Sequence, residues 1–576
     1  MRNKYRFLTA FGLILILITS LSFVLNSPGG RERNGKALRV RTDTLFSKPH
    51  DVYPDELIKQ IPHSDYPSGV TFGSTPTSLV FNNINITQNT APQNEPSVKF
   101  SRIVPGTVVA AWRDFRTGVN PAIRRVGFSY STNSGTTWSV SQLLPLPDPA
   151  HPRTSDPAVG VDLDGNFYIA TISINTNDAD GTIIVYKSTN NGVSFDTGYI
   201  AAHSTSGFGE DKEYITTDLD PSSSYANTLY ISWTRFSSGQ QILLTKSTNG
   251  GINWTDPPTP VSDATFGVQG SDPAVGNRGE IYVVWDGIGG ITFDKSTDGG
   301  NTFGVDKVIS TFTNTSGFPS IAITPIGPSR ITPIYVVFSD SRNGDYDVFL
   351  TSSFNKGETW TPAVRVNDDP LSNGKIQYWP WISVNNEGKI AIVYYDTRNT
   401  PNNTIIEAYL ATSTDQGVTF TNELLSTQQS PTNQPNGDVR FGDYIGIDFQ
   451  SNRIVPVWTD ERAGGFDQEI YTAIVDITVG VEPSASNIPN QFSLQQNYPN
   501  PFNPSTIINF TLPKSININL SILDITGKVV STIINGNKDA GSYSVKWDAS
   551  NYASGIYFYR LQAGDFVDTK KMILLK

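Results

Sequence analysis

Four short phrases in this chain set an aspartate two residues before an arginine at the end of an apolar run. They read WRDFR (Asp114, Arg116), FSDSR (Asp340, Arg342), YYDTR (Asp396, Arg398) and WTDER (Asp460, Arg462). Two chemistries fit them. A guanidinium forks onto a carboxylate or sulfate, so arginines gathered on one rim can hold an acidic ligand. Alternatively, each arginine pairs with its own aspartate and holds a turn. Three acidic stretches, NTNDADG (175–181), GEDKE (209–213) and VDLDGN (161–166), offer the oxygen ligands that Ca²⁺ takes. Solvated loops account for the first two, and a hairpin turn for the third. The chain has no cysteine and only four histidines, His50, His63, His151 and His203, without ligand spacing. Disulfides, thiolate metal sites, zinc centres and a Ser-His-Asp triad are therefore not expected, and no cofactor is required.

The elements that would position these residues follow from repetition. Six near-copies of one phrase occur: STNSGTTW (131–138), STNNGVSF (188–195), STNGGINW (247–254), STDGGNTF (296–303), SFNKGETW (353–360) and STDQGVTF (413–420). Asn or Asp at the third place can bond the backbone two residues on, and the glycine suits a positive φ. The closing aromatic can fill the gap between neighbouring sheets. A second unit, inner strand, turn and buried second strand, recurs seven times, beginning at 95, 156, 213, 272, 318, 378 and 443. Its alternating apolar residues, as in Ile281-Tyr282-Val283-Val284-Trp285, suit central strands. The last copy has no box phrase after it, so NINITQN (83–89) is expected to supply its outer strand and close a ring.

The six phrases resemble the Asp-box, or BNR, repeat of sialidase-like β-propellers, over residues 70–476. The expected fold is all-β: a seven-bladed propeller over 70–478, with six blades, as in known sialidases, the alternative. In such a blade the boxes and the first-to-second turns lie on one face. The Asp-x-Arg phrases and the inner-strand starts lie on the other. The resemblance implies a tyrosine nucleophile assisted by a glutamate, with an aspartate as acid/base. Tyr444 in FGDYIGI and Glu461 are the matching pair, with Asp443, Asp156 and Asp272 as candidate acids. The sialidase carboxylate clamp implies Arg116, Arg342, Arg398 and Arg462, with Asp114, Asp340, Asp396 and Asp460 beside them. One departure weighs against activity: the Arg-Ile-Pro phrase that opens the first sialidase blade is matched here by Asn94-Glu95-Pro96. Arg102-Ile103-Val104-Pro105 falls in a turn toward the other face.

The two ends read differently. Arg2, Lys4 and Arg6 precede an apolar stretch from Phe7 to Leu25, the pattern of a secretory signal over residues 1–25 or of an uncleaved anchor. Residues 26–69 read as a leader and 479–491 as a linker. Residues 492–576 carry NYPNPFNPST, LDITGKVV, SGIYFYRLQAG and KKMILLK. They resemble the C-terminal sorting domain of the type IX secretion system, a small β-sandwich. That implies export through Sec and then the outer membrane to the medium or cell surface. Residues 491–576 hold eight Lys/Arg against five Asp, so at −11 overall the rest of the chain carries −14. An acidic body argues against nucleic acid. Three roles stay open: a monomeric propeller binding an extracellular glycan or other polymer, an exo-acting sialidase-type hydrolase, and an adhesion or protein-interaction scaffold.

Overall fold

The computed structural model describes residues 81–118, 124–146, 151–175, 181–203, 209–236, 239–324, 332–432, 441–464, 467–477, 491–497 and 500–575. The signal and leader readings lie outside them. The chain divides into two compact units, one ending at Val475 and one beginning at Asp476.

The first unit is a ring of seven antiparallel sheets, each with four strands on its main path. Their inner strands are Gln93–Phe100, Arg153–Val161, Glu210–Thr217, Gln269–Val275, Ser320–Ile323, Gln377–Val384 and Gly446–Gln450. We number the blades 1 to 7 in that order. Seven blades, not six, are present. Blade 7 takes its outer strand from Asn83–Asn85, with Asn83 opposite Ala473 and Asn85 opposite Tyr471. The edge that the last blade would expose is thereby paired.

Side chains on the inner strands lock each blade to a neighbour. The Val159 amide donates to Ser97 Oγ at 3.0 Å, Ile321 to Asp272 at 2.9 Å and Phe449 to Ser383 Oγ at 3.1 Å. The circle closes where the Phe100 amide of blade 1 donates to Asp448 of blade 7 at 2.8 Å. Between the sheets the second strands supply the bulk: Trp112, Trp233, Trp285 and Trp458 are fully buried. Truncating a buried Trp typically costs about 3–5 kcal/mol, so these side chains carry much of the packing.

The six repeated phrases are the third-to-fourth turns, and all six form one geometry. Their glycines hold φ between 78° and 85°. In each, the glycine amide donates to the hydroxyl of the first serine, from 2.8 Å at Gly357 to 3.0 Å at Gly192. The Asn or Asp at the third place accepts from the amide four residues on, as from Thr137 to Asn133 at 2.9 Å. The expected two-residue reach is thus a four-residue one, because the serine hydroxyl fills the tighter position. The closing aromatics do bridge sheets: Phe195 of blade 2 meets Phe128 of blade 1 edge-on at 4.9 Å, and Trp360 meets Phe293 at 5.1 Å. The Ser134 amide donates to Gly106 O at 2.7 Å, which puts box and first-to-second turn on one face.

The second unit is a sandwich of a three-stranded and a four-stranded sheet. Its core contains Phe510, Leu520, Ile522, Trp547, Tyr559 and Leu561. Phe502, between the two Asn-Pro steps, is buried and bridges in parallel to Leu574.

Candidate functional site at the axial mouth

The face opposite the six boxes carries an irregularity that recurs from blade to blade. Five inner strands slip register at the same place, between Asn94 and Ser97, Ser155 and Ala158, Asp211 and Tyr214, Gln269 and Asp272, and Tyr378 and Trp381. Inside each slip one residue has a positive φ: Glu95 (54°), Asp156 (54°), Lys212 (56°), Gly270 (68°) and Trp379 (51°). A bulge of this kind re-aims a side chain. Only one of the five is glycine, and each of the others is held at a cost of roughly 1–3 kcal/mol.

The bulges bring charge together on the propeller axis. Lys212 Nζ of blade 3 lies 3.2 Å from Asp156 of blade 2 and 2.7 Å from Asp443 of blade 7. It also sits over the rings of Tyr444 and Phe318, 5.2 and 5.6 Å from their centroids. Burial works against this ammonium, but Asp156, Asp443, Glu95 and Asp211 outweigh it and hold its pKa well above the usual lysine value. Beside it Glu95 pairs with Arg113 at 3.1 Å, and Arg113 Nε donates to Asn94 at 2.6 Å.

One acid in the group has no such partner. Both carboxylate oxygens of Glu213 are buried without a hydrogen bond, as is one oxygen of Glu95. Burial, reinforced by Asp156, pushes the Glu213 pKa well above the carboxylate range. Burial raises Glu95 as well, against the pull of Arg113. Both carboxyls therefore hold protons more tightly than ordinary glutamates and can donate them.

Beneath the charges three rings meet across the axis. Tyr214 of blade 3 lies 4.9 Å from Trp381 of blade 6, and Tyr444 of blade 7 lies 5.8 and 6.1 Å from them. The hydroxyls of Tyr214 and Tyr444 are buried without partners. A cavity of about 170 Å³ runs from these rings toward the box side, lined by Ser97, Tyr214, Asp272, Trp381, Arg102 and Asp448 among others. Lys212, Asp443 and Tyr444 do not line it, so the rings separate the cavity from the charged mouth.

The residues expected from sequence fall in three places. Asp443, Asp156 and Tyr444 do converge at the mouth. Glu461 is not seen beside Tyr444: its amide donates to Ser430 Oγ at 2.7 Å. The acids whose charge reaches Tyr444 are Glu95, Asp156 and Glu213, while burial is the main cause of its raised pKa. Asp272 is a strand cap, accepting from Ser320 Oγ and the Ile321 amide, and burial lifts it to about 6.

The four arginines do not converge. Arg116 forks onto Asp114 at 2.7 and 3.0 Å and Arg462 onto Asp460 at 2.6 and 3.0 Å. Arg398 Nε donates to Asp396 at 2.7 Å, and Arg342 Nε to Asp340. Their remaining donors reach outer positions: Arg116 to Ser141, Arg342 to Thr311 and Arg462 to Asn83. Asp114 and Asp460 also accept from Trp112 and Trp458 Nε1 at 2.9 and 3.0 Å. The motif is a latch tying the second strand to the blade's rim, and a carboxylate clamp built from it is replaced by this local pairing.

Nor are two of the three acidic stretches loops open to a cation. GEDKE opens the inner strand of blade 3, where Glu210 binds Arg235 and Trp233 Nε1. Asp162 is spent on a turn, accepting from the Asp164 and Asn166 amides and Tyr168. Residues 176–180 lie outside the described residues. Among the described residues no group of three or more His, Asp or Glu is placed to hold a metal.

Glu95, Arg113, Lys212, Glu213, Tyr214, Trp379 and Trp381 escaped the sequence reading. A signal existed: Glu95-Pro96, Asp156-Pro157 and Trp379-Pro380 stand at one blade position. A turn explains one such step, but three at the same place mark a feature of the ring.

Residues 496–575 match the family described as the secretion system C-terminal sorting domain. The match accords with the sandwich of the second unit and supports delivery outside the cell or to its surface. No curated protein matches the chain. Among solved structures, a protein of unknown function from Dyadobacter fermentans is 13% identical over 69% of this chain and 98% of its own, with a TM-score of 0.42. An α-L-arabinanase of Penicillium chrysogenum complexed with arabinobiose is 14% identical over 70% and 99%, TM-score 0.39. A point mutant of the NanB sialidase of Streptococcus pneumoniae is 14% identical over 74% and 73%, TM-score 0.36. Likenesses this distant carry nothing about what this chain binds.

Proposed function

We propose that this chain is an exported propeller that binds a glycan or other extracellular polymer at its axial mouth. Its six turns read as Asp boxes, which serve the fold. Residues 1–25 act as a Sec signal, and residues 492–576 address the chain to type IX secretion. The observation that carries the binding role is the ring of bulges. Glu95, Asp156, Lys212 and Trp379 hold positive φ inside inner strands and not, as Ser134 and Asn191 do, in a turn, and strain of this kind clusters at active sites and ligand clamps. An array of extracellular glycans probed with the full chain tests this. Binding lost in an Asp443→Ala variant supports the reading, and binding indifferent to Asp443 opposes it.

A hydrolase is favoured by one further observation. The phenols of Tyr214 and Tyr444 lie unpartnered among buried carboxyls, so a carboxylic acid donor stands beside a candidate nucleophile, which burial keeps neutral until a base takes its proton. Turnover of fluorogenic glycosides, sialosides included, that falls at least a thousandfold in Tyr444→Phe would establish this activity. Turnover unaffected by the change would exclude Tyr444 as nucleophile.

A further inference from the structure

The mouth also has a charge and a surface that narrow its ligand. Asp156, Asp211 and Asp443 stand there with Glu95 and Glu213, whose carboxyls burial holds toward the protonated form, beside two cations, Arg113 and Lys212. Both cations are engaged: Arg113 by Glu95 and Asn94, and Lys212 by Asp156 and Asp443. A carboxylate or sulfate on a ligand would meet no uncommitted cation among these residues and would add a like charge to the group. Carboxylates accept hydrogen bonds and protonated carboxyls also donate them, so what the group recognises is a hydroxyl, which does both.

Beside the acids stand two aromatic rings set nearly at right angles, Trp379 and Tyr378. Trp379 and Tyr378 are both partly exposed, with centroids 5.2 Å apart, and Trp379 lies 5.9 Å from Tyr395. Tyr395 in turn touches Phe441 at 5.9 Å, two residues before Asp443. A Cβ on Gly317, the neighbour of Phe318 under Lys212, would come within 2.6 Å of Trp379 Cδ1, so platform and cation share one wall. A tryptophan at φ 51° directly before a proline is unfavourable twice over. The orphaned carboxylate of Glu213 adds an independent sign that something polar is missing from this group.

We infer that the mouth takes an uncharged sugar unit, stacked on Trp379 with Tyr378 edge-on beside it and its hydroxyls hydrogen-bonded to the acids around Asp443, and that it rejects acidic sugars. The inference rests on the glycan-binding reading above and names its class. Sialic acid is on the rejected side.

Affinity electrophoresis of the full chain tests it, in gels containing arabinan, mixed-linkage glucan or galactomannan, and in gels containing polysialic acid or polygalacturonate. The expected result is retardation by at least one neutral polymer and by neither acidic one, little changed by added salt. Trp379→Gly suits the positive φ, so its melting temperature should hold or rise while affinity drops at least tenfold. Trp379→Phe keeps a ring and should retain binding. Retardation by an acidic polymer that Trp379→Gly abolishes would leave glycan binding standing and overturn the uncharged class. Neutral retardation unchanged in Trp379→Gly would overturn the platform, and no retardation in any gel would overturn both readings.

Discussion

The Lys212 ammonium lies 2.7 Å from the Asp443 carboxylate, joining blade 3 to blade 7 across the axis, 231 residues apart in sequence. The pair is a cross-brace as well as part of the mouth. Lys212→Met leaves Asp156 and Asp443 without their cation, and breaking such a buried pair costs about 3–5 kcal/mol. Chemical denaturation should show that loss, and adding Asp443→Asn should recover part of it. Because the folded pKa of Lys212 is raised, its contribution is complete below the unfolded value of about 10.4 and fades only above it. A Lys212→Met loss under about 1 kcal/mol would contradict the brace.

Asp272 titrates in a different window. Its pKa is lifted to about 6 by burial, so the folded state holds its proton when the unfolded state has released it. The contribution of Asp272 to stability is complete below about pH 4 and is lost as pH rises through 6, on the order of 2–3 kcal/mol for a fully buried group. Asp272→Asn should keep the acceptor for Ser320 and Ile321 and remove this slope from the melting curve between pH 4 and 7. A slope that persists unchanged in the variant would assign it to other acids.

The rim arginines should behave as structure. Arg462→Ala leaves Asp460, 1% exposed, without its guanidinium, with an expected loss of about 3 kcal/mol in stability. Polymer affinity at the mouth should stay within about twofold, which is under 0.5 kcal/mol. Affinity falling tenfold at unchanged melting temperature would restore the arginine clamp.

Two glycines of nearly equal φ separate conformation from packing. Gly192 has φ 80°, and a Cβ there would come within 2.2 Å of Val109 Cγ2; Gly374 has φ 78° and open space around it. Gly374→Ala should cost about 1 kcal/mol, the left-handed penalty alone. Gly192→Ala should cost at least about 2 kcal/mol, since Val109 must also move. Equal losses would mean that the box turns are looser than their hydrogen bonds imply.

The fold was legible because its determinants are local and repeated. The Ser131-to-Gly135 type of turn is written in eight residues, and the lone boxless unit pointed to Asn83–Asn85 as the strand that completes it. The mouth was hidden for the opposite reason. Lys212, Asp156 and Asp443 carry no common motif: the first two are aimed by slips of register in blades 3 and 2, and Asp443 arrives on the segment before the inner strand of blade 7. The Asp-x-Arg phrases misled because each arginine has its own aspartate two residues away to pair with, whereas the bulges aim a different side chain from each blade at one axis.

Ligand should meet the mouth and not the face bearing the boxes. Hydroxyl-radical footprinting of the full chain, with and without the polymer that retards it most, reads this from the tryptophans. Trp379 lies at the mouth, while Trp138, Trp254 and Trp360 close box turns, and all four are partly exposed. The expected result is protection of Trp379 and Tyr378 with the three box tryptophans unchanged. Protection of the box tryptophans with Trp379 still oxidised would contradict it.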